Sequence, residues 1–280
     1  MTNKLKMHVF HHQEMGRQAE EEGKLHALSM KEVSFSYGKK PFIKDLSLAL
    51  PEGRVTSIIG PNGCGKSTVF KLFSGILKAQ AGSVKLEGLP LSHLTANQRA
   101  RRLALLSQGA KVPAMSVESL VACGRYPYKN AASHSPKSDA EHIEEAMRLA
   151  GVLHHRGADV RFLSGGERQR AFIAMTLAQD TSLIILDEPT TYLDVRACHE
   201  IMELLCSLNE EHEKTIVTII HDIDLALRYS HNITVMKEGA VVCSAGAKDA
   251  QVLSSIEESF RVKVYKNQIE GKESFTLFSV

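Results

Sequence analysis

Nine residues, Gly60-Pro61-Asn62-Gly63-Cys64-Gly65-Lys66-Ser67-Thr68, lie between an unbroken apolar run, Val55-Thr56-Ser57-Ile58-Ile59, and an amphipathic one that opens Val69-Phe70-Lys71-Leu72-Phe73. This constrains local folding to a buried strand, a glycine-rich turn and a helix. The glycines at 60, 63 and 65 allow backbone conformations that a Cβ forbids, so successive N–H groups can turn inward on one anion. That anion then sits at a helix N-terminus, where free amides and the dipole favour negative charge. In a G-x-x-x-x-G-K-S spacing the Lys66 ammonium reaches the β- and γ-phosphates of a nucleotide, and the Ser67 hydroxyl is placed to ligate Mg2+.

The rest of the pattern predicts an α/β protein with a mainly parallel sheet, an antiparallel β layer and a helical insertion. Ser182-Leu183-Ile184-Ile185-Leu186 and Thr215-Ile216-Val217-Thr218-Ile219-Ile220 are continuous apolar runs of the kind buried on both faces of a parallel sheet. Val33, Phe35 and Tyr37 alternate with Glu32, Ser34 and Ser36, which predicts a strand with one face buried. Val84-Lys85-Leu86 followed by Glu87-Gly88, and Ile233-Thr234-Val235-Met236 followed by Glu238-Gly239, read as hairpins. Ser138-Asp139-Ala140-Glu141 is a capping box heading a helix that stops at Gly151. The first 27 residues, with His8, His11 and His12, lack periodicity and are expected to be a flexible tail.

Composition excludes several classes. A net charge of +2 over 280 residues gives no bulk basic surface for nucleic acid. The five cysteines (Cys64, Cys123, Cys198, Cys206, Cys243) form no C-x-x-C pair, so neither a zinc site nor a disulfide framework is indicated. No apolar run reaches the roughly 18 residues of a membrane span, so any membrane role is expected to be peripheral.

A second acidic site follows from Asp187-Glu188 at the end of the first apolar run. Carboxylates at the C-terminal end of a buried parallel strand face the crevice where such sheets bind ligands. Asp187 is suited to hold Mg2+, and Glu188 to orient or deprotonate the water that attacks the γ-phosphate. The alternative for such a pair is a cap on the next helix.

Between the two sites stands Leu163-Ser164-Gly165-Gly166-Glu167-Arg168-Gln169-Arg170. Ser164 and Glu167 form another capping box, and the glycines leave amides free at the start of the helix, a second phosphate-binding surface. With the cradle, Gln108, Asp187-Glu188 and His221 in this order, the chain from Leu28 onward resembles the nucleotide-binding subunit of an ATP-binding cassette (ABC) transporter. The resemblance implies a phosphate-loop NTPase core with cassette domain limits of 28–265, a helical subdomain at about 109–180 and a C-terminal segment at 266–280. It also implies ATP and Mg2+ as cofactors and a head-to-tail dimer, in which each signature (Ser164, Gly165, Gly166) covers the ATP held by the other copy.

By the same resemblance Tyr37 stacks on adenine and Gln108 reaches Mg2+ and the attacking water. Asp194 lies on the loop exchanged across the dimer, and His221 contacts the γ-phosphate. The chain departs from the family at Glu167, where glutamine is commoner, and in Thr191-Tyr192-Leu193-Asp194, where Ser-Ala-Leu-Asp is commoner. Those departures, with Cys64, Gly124-Arg125-Tyr126-Pro127-Tyr128 and the stretch from Gly246 to Val262, resemble importers of iron–siderophore complexes, haem and cobalamin. The partners implied are a second copy, an integral membrane permease and, indirectly, an extracytoplasmic substrate-binding protein, with the chain on the cytoplasmic face of the membrane. The other reading is a soluble ABC-type ATPase of iron–sulfur cluster assembly.

Overall fold

The structure is a computed structural model that describes residues 26–109, 111–129, 138–269 and 272–279. The expected tail, with His8, His11 and His12, lies outside the described residues except for His26 and Ala27, which already belong to a strand. In chain order the elements begin with β1 (His26–Phe35), β2 (Ile43–Pro51), β3 (Val55–Ile59), α1 (Lys66–Phe73), β4 (Ala81–Leu86) and β5 (Leu89–Pro90). Next come α2 (Ala96–Ala100), β6 (Leu103–Leu106), α3 (Val117–Ala122), α4 (Asp139–Leu149), α5 (Gly165–Ala178) and β7 (Leu183–Asp187). The chain continues through α6 (Val195–Glu210), β8 (Thr215–Ile219), α7 (Ile223–Tyr229), β9 (Asn232–Lys237), β10 (Ala240–Gly246), α8 (Ala250–Phe260), β11 (Val262–Ile269) and β12 (Lys272–Ser279).

One sheet has the order β10-β9-β3-β8-β7-β6, parallel throughout except for the β9–β10 hairpin. Its central strands are apolar on both faces because both faces are covered. Val55 and Ile59 of β3, with Ile184 and Leu186 of β7, pack among α5, α6 and α7. Ile58, Leu183 and Ile185 face the other way, toward α1 and an antiparallel sheet of order β2-β1-β4-β5. The Glu238-Gly239 turn is a left-handed pair (φ 49° and 82°), as is Glu87-Gly88 (φ 50° and 77°), which suits two-residue hairpins.

The alternation expected from Glu32 holds as far as Phe35, with Val33 and Phe35 buried and Glu32 exposed. Glu32 takes a positive φ of 51°, the register with β2 and β4 shifts there, and Met30 and Val33 both turn inward. The strand ends at Phe35, which releases Tyr37 into the turn before β2. At the other end, β11 and β12 form a hairpin, so the limit expected at 265 falls inside a strand.

β6 and β7 are parallel neighbours, with Leu103 opposite Leu183, so the chain between them leaves the sheet and returns beside its point of departure. That excursion carries α3, α4 and α5, packed on one another around Val117, Leu120, Met147 and Ile173. A buried arginine ties the parts of this excursion together, and Arg101 joins it to the core. Arg125 donates from Nε to Asp139 Oδ1 (2.8 Å) and from Nη1 to Ala178 O (2.9 Å), with its guanidinium 4.2 Å from the Tyr128 ring centre. Tyr128 in turn donates to Gln179 O at 3.0 Å, and Arg101 donates to Pro127 O at 3.0 Å. The chain reaches this cluster only because residue 124 is glycine: a Cβ there would lie 2.1 Å from Met175 O. Gly124→Ala is therefore expected to destabilise the protein by roughly 1–3 kcal/mol, as overpacking against backbone does. A urea midpoint equal to that of the unsubstituted protein would contradict this close approach.

Candidate functional site

β3 delivers the chain to the cradle and α1 leaves it. A Cβ on Gly60 would sit 2.3 Å from Met236 O and 2.6 Å from Cys64 Sγ, so the loop closes against β9 only with glycine there. Gly65 has a φ of 113°, which turns the chain into the first amides of α1. The buried Lys66 ammonium donates to Gly60 O (2.7 Å) and Pro61 O (3.2 Å), across the inside of the loop. Burial pushes its pKa down, and the carboxylates of Glu188 and Asp187 oppose that shift. Burial pushes the Cys64 thiol up, away from thiolate. Tyr37, 61% exposed, stands at the rim with its hydroxyl 3.1 Å from Thr68 Oγ1 and its ring edge-on to Phe35 and Phe42. The groove above the loop is lined by Phe42, Asn62, Gly63, Ser67, Glu188 and His221.

Residues from three distant stretches of the sequence converge at or beside that groove because β6, β7 and β8 are parallel neighbours whose C-terminal ends share one edge. Gln108 follows β6, Asp187-Glu188 ends β7 and His221 follows β8. Glu188 has a positive φ of 54°, and its N–H donates to Ile219 O at 2.8 Å. A glutamate in the left-handed region costs about 1–3 kcal/mol, which the surrounding sheet must sustain. The conformation aims the carboxylate at three donors: His221 Nε2 at Oε1, and Gln108 Nε2 together with Thr191 Oγ1 (2.9 Å) at Oε2. Neither Asp187 nor Glu188 caps a helix.

Asp187 Oδ1 is buried and has no hydrogen-bond partner. Burial first, and then the charge of Glu188, push its pKa from 3.8 up to about 6, against the pull of Lys66, Lys71 and His221. A divalent cation fits this oxygen, supplying both the missing partner and the opposite charge. Mg2+ is commonly held by one or two protein oxygens plus substrate phosphates, and Asp187 with the Ser67 hydroxyl offers that set.

The signature residues form a separate surface. Ser164 caps α5, and Glu167 reaches back so that Oε2 accepts from Ser164 N (2.9 Å) and Oγ (2.7 Å). Gly165 faces Leu193, with 3.1 Å between its notional Cβ and Leu193 Cδ2, and Gly166 faces Ala197 at 3.3 Å. Small residues at both positions let the start of α5 lie against the start of α6. Asp194 Oδ1 accepts from Ala197 N at 2.8 Å and so caps α6. Ser164, Gly165, Gly166, Tyr192, Asp194 and Arg196 line a cavity that includes none of the loop residues 60–68.

The structure thus gathers the expected residues into two groups. Tyr37, the loop 60–68, Gln108, Asp187, Glu188 and His221 make one, and Ser164, Gly165, Gly166 and Asp194 make the other. Sequence reasoning missed Thr191 and Phe42. The hydroxyl three residues past Glu188 was a readable signal for Thr191, whereas Phe42 reaches the groove only through the fold of the antiparallel sheet. Among the described residues, no helix is long and apolar enough to cross a membrane.

Residues 43–191 match the ABC transporter family. The chain is 40% identical to the probable siderophore transport system ATP-binding protein YusV of Bacillus subtilis, over 86% of this chain and 88% of that protein. It is 38% identical to the ferric enterobactin transport ATP-binding protein FepC of Escherichia coli, over 83% and 86% respectively. A bacterial ABC transporter cassette solved as a dimer has a TM-score of 0.68 to it at 28% identity, covering 79% of this chain and 99% of that one. The chain that folds into this cradle and acidic strand end belongs to the ABC transporter family as an ATP-hydrolysing subunit.

Proposed function

We propose that the protein powers import of an iron–siderophore complex or a related metal chelate, such as haem or cobalamin, through a separate membrane permease. It would act as a head-to-tail pair on the cytoplasmic face of the membrane, with an extracytoplasmic binding protein delivering the cargo. The observation that carries the ATPase part is the Glu188 carboxylate, fixed by Gln108, Thr191 and His221 on the groove beside Lys66. The iron-chelate part is supported by the relatives named for siderophore and ferric enterobactin transport.

The roles follow from position. The loop amides and Lys66 hold the phosphates, and Tyr37 offers an exposed ring at the rim for a base to stack on. Asp187 and Ser67 would hold Mg2+, which when bound neutralises charge on the phosphate oxygens. Glu188 accepts the proton of the attacking water, while Gln108 and His221 keep its carboxylate aimed. Ser164, Gly165 and Gly166 line a cavity that holds none of the loop residues 60–68, and a second copy would bring them to the loop.

Deletion of the gene should abolish uptake of radiolabelled ferric siderophore, and the natural gene, but not one encoding Glu188→Gln, should restore it. The protein should also co-purify with a polytopic membrane protein. Unchanged uptake of all three chelate classes would overturn the iron-chelate reading. Recovery of the protein without any membrane partner would favour the iron–sulfur assembly role.

A further inference from the structure

The mechanism above gives Glu167 no task, and its position in the signature raises a physical difficulty. Its Oε2 takes both the N–H and the hydroxyl proton of Ser164, which are donors the signature would offer to a phosphate. A carboxylate at that place also sets a negative charge beside the incoming negative ligand. Glutamine would form the same box without the charge. Something must keep the Glu167 carboxylate on the capping side when Ser164 turns its hydroxyl outward.

The structure supplies a holder. His155, in the short 3-10 turn Leu153–His155 that follows α4, has its Nε2 3.0 Å from Glu167 Oε1. An ionised carboxylate only accepts, so the ring donates from Nε2. The His155 side chain is 23% exposed and that of Glu167 41%, and the His154 ring lies 4.0 Å from the His155 ring, centre to centre. The two Ser164 hydrogen bonds, and after them His155, hold the Glu167 carboxyl below the usual range, so it stays charged. Its two oxygens thus have different owners: Oε2 belongs to the helix cap and Oε1 to the histidine.

We propose that His155 is a positioning residue for the signature. By anchoring Glu167 Oε1 it keeps the carboxylate seated on the Ser164 N–H when the Ser164 hydroxyl, which here donates to Oε2, turns to the phosphate of the ATP carried by a second copy. It acts through Glu167 and touches no nucleotide itself. This rests on the reading above that the signature of one copy covers the ATP of the other.

The test uses full-length protein carrying Glu188→Gln, so that ATP-bound pairs accumulate, and reads the ATP concentration giving half-maximal dimer in sedimentation velocity. Adding His155→Phe, which keeps a ring but removes the donor, should raise that concentration roughly 3–10-fold, the equivalent of losing one partly exposed hydrogen bond to a charged group. His155→Gln, which keeps a donor, should return it to within about twofold. In a Glu167→Gln background, His155→Phe should have no further effect, because no carboxylate remains to be held. An equal effect of His155→Phe with and without Glu167→Gln, or no effect in either, overturns the proposal while leaving the pairing intact. Failure of the Glu188→Gln protein itself to dimerise with ATP overturns the pairing, and the proposal with it. If His155→Phe does not fold, the Glu167 dependence is read with His155→Asn, whose shorter side chain should behave as a loss of the donor.

Discussion

Glu188→Gln is expected to lower ATP hydrolysis by roughly 10²–10⁴-fold, the usual contribution of a positioned general base, while ATP binding persists. Glutamine has nearly the volume of glutamate and can still accept from Thr191, so the groove keeps its shape. What it loses is the basic oxygen that takes the water's proton. With its oxygen facing Thr191 and Gln108, its amide N–H₂ takes the other place and meets the His221 Nε2 donor. Single-turnover hydrolysis and equilibrium nucleotide binding separate the two effects. A variant that binds ATP and hydrolyses it at the unsubstituted rate would remove Glu188 from the mechanism, and one that cannot bind ATP would make it a structural residue.

Asp187→Asn should act in opposite directions on stability and on activity. A carboxyl whose pKa rises from 3.8 to about 6 on folding binds its proton more tightly in the native state. Its contribution to stability is complete below pH 3.8 and is lost as pH rises through about 6. Above that, the buried charge costs up to about 3 kcal/mol. Asparagine cannot ionise, so the nucleotide-free variant should be the more stable protein at pH 7.5, and its advantage should shrink as the pH falls toward 4. Urea unfolding at the two pH values measures this. The same change removes the charge suited to a divalent cation, so Mg2+-dependent hydrolysis should collapse. An advantage independent of pH would show that Asp187 is not held as a buried, charge-starved carboxylate.

The legible part of the site was the part carried by short stretches of chain. The cradle needs nine consecutive residues, and the structure forms it where the glycines, Lys66 and the flanking strand and helix indicated. The capping boxes at Ser138 and Ser164 formed because each joins residues only three apart. The apolar runs became buried strands because they are apolar on both faces. The alternation was legible from Glu32 to Phe35 but not its end at Phe35, beyond which Tyr37 is exposed, nor the shift of register at Glu32, which enters the left-handed region. That shift depends on the neighbouring strand, where Gly82 leaves room: a Cβ there would lie 2.3 Å from Glu32 O.

By itself, then, the order of residues determined that this chain builds a phosphate cradle, an acidic strand end and a capped glycine signature on an α/β framework. These are local hydrogen-bonding and packing patterns. Tertiary structure decided how they combine. The parallel order of β6, β7 and β8 gathers Gln108, Glu188 and His221, whose positions in sequence span more than a hundred residues. Burial, which depends on the whole fold, pushes the pKa of Asp187 up and that of Lys66 down. The placement of α5 and α6 turns the signature into a cavity apart from the cradle, and a residue on a short turn beyond α4 reaches Glu167 because two helices of the insertion lie side by side. Contacts between distant segments carry no local signature, because the energy that selects them comes from excluding water across surfaces that exist only once the chain has folded.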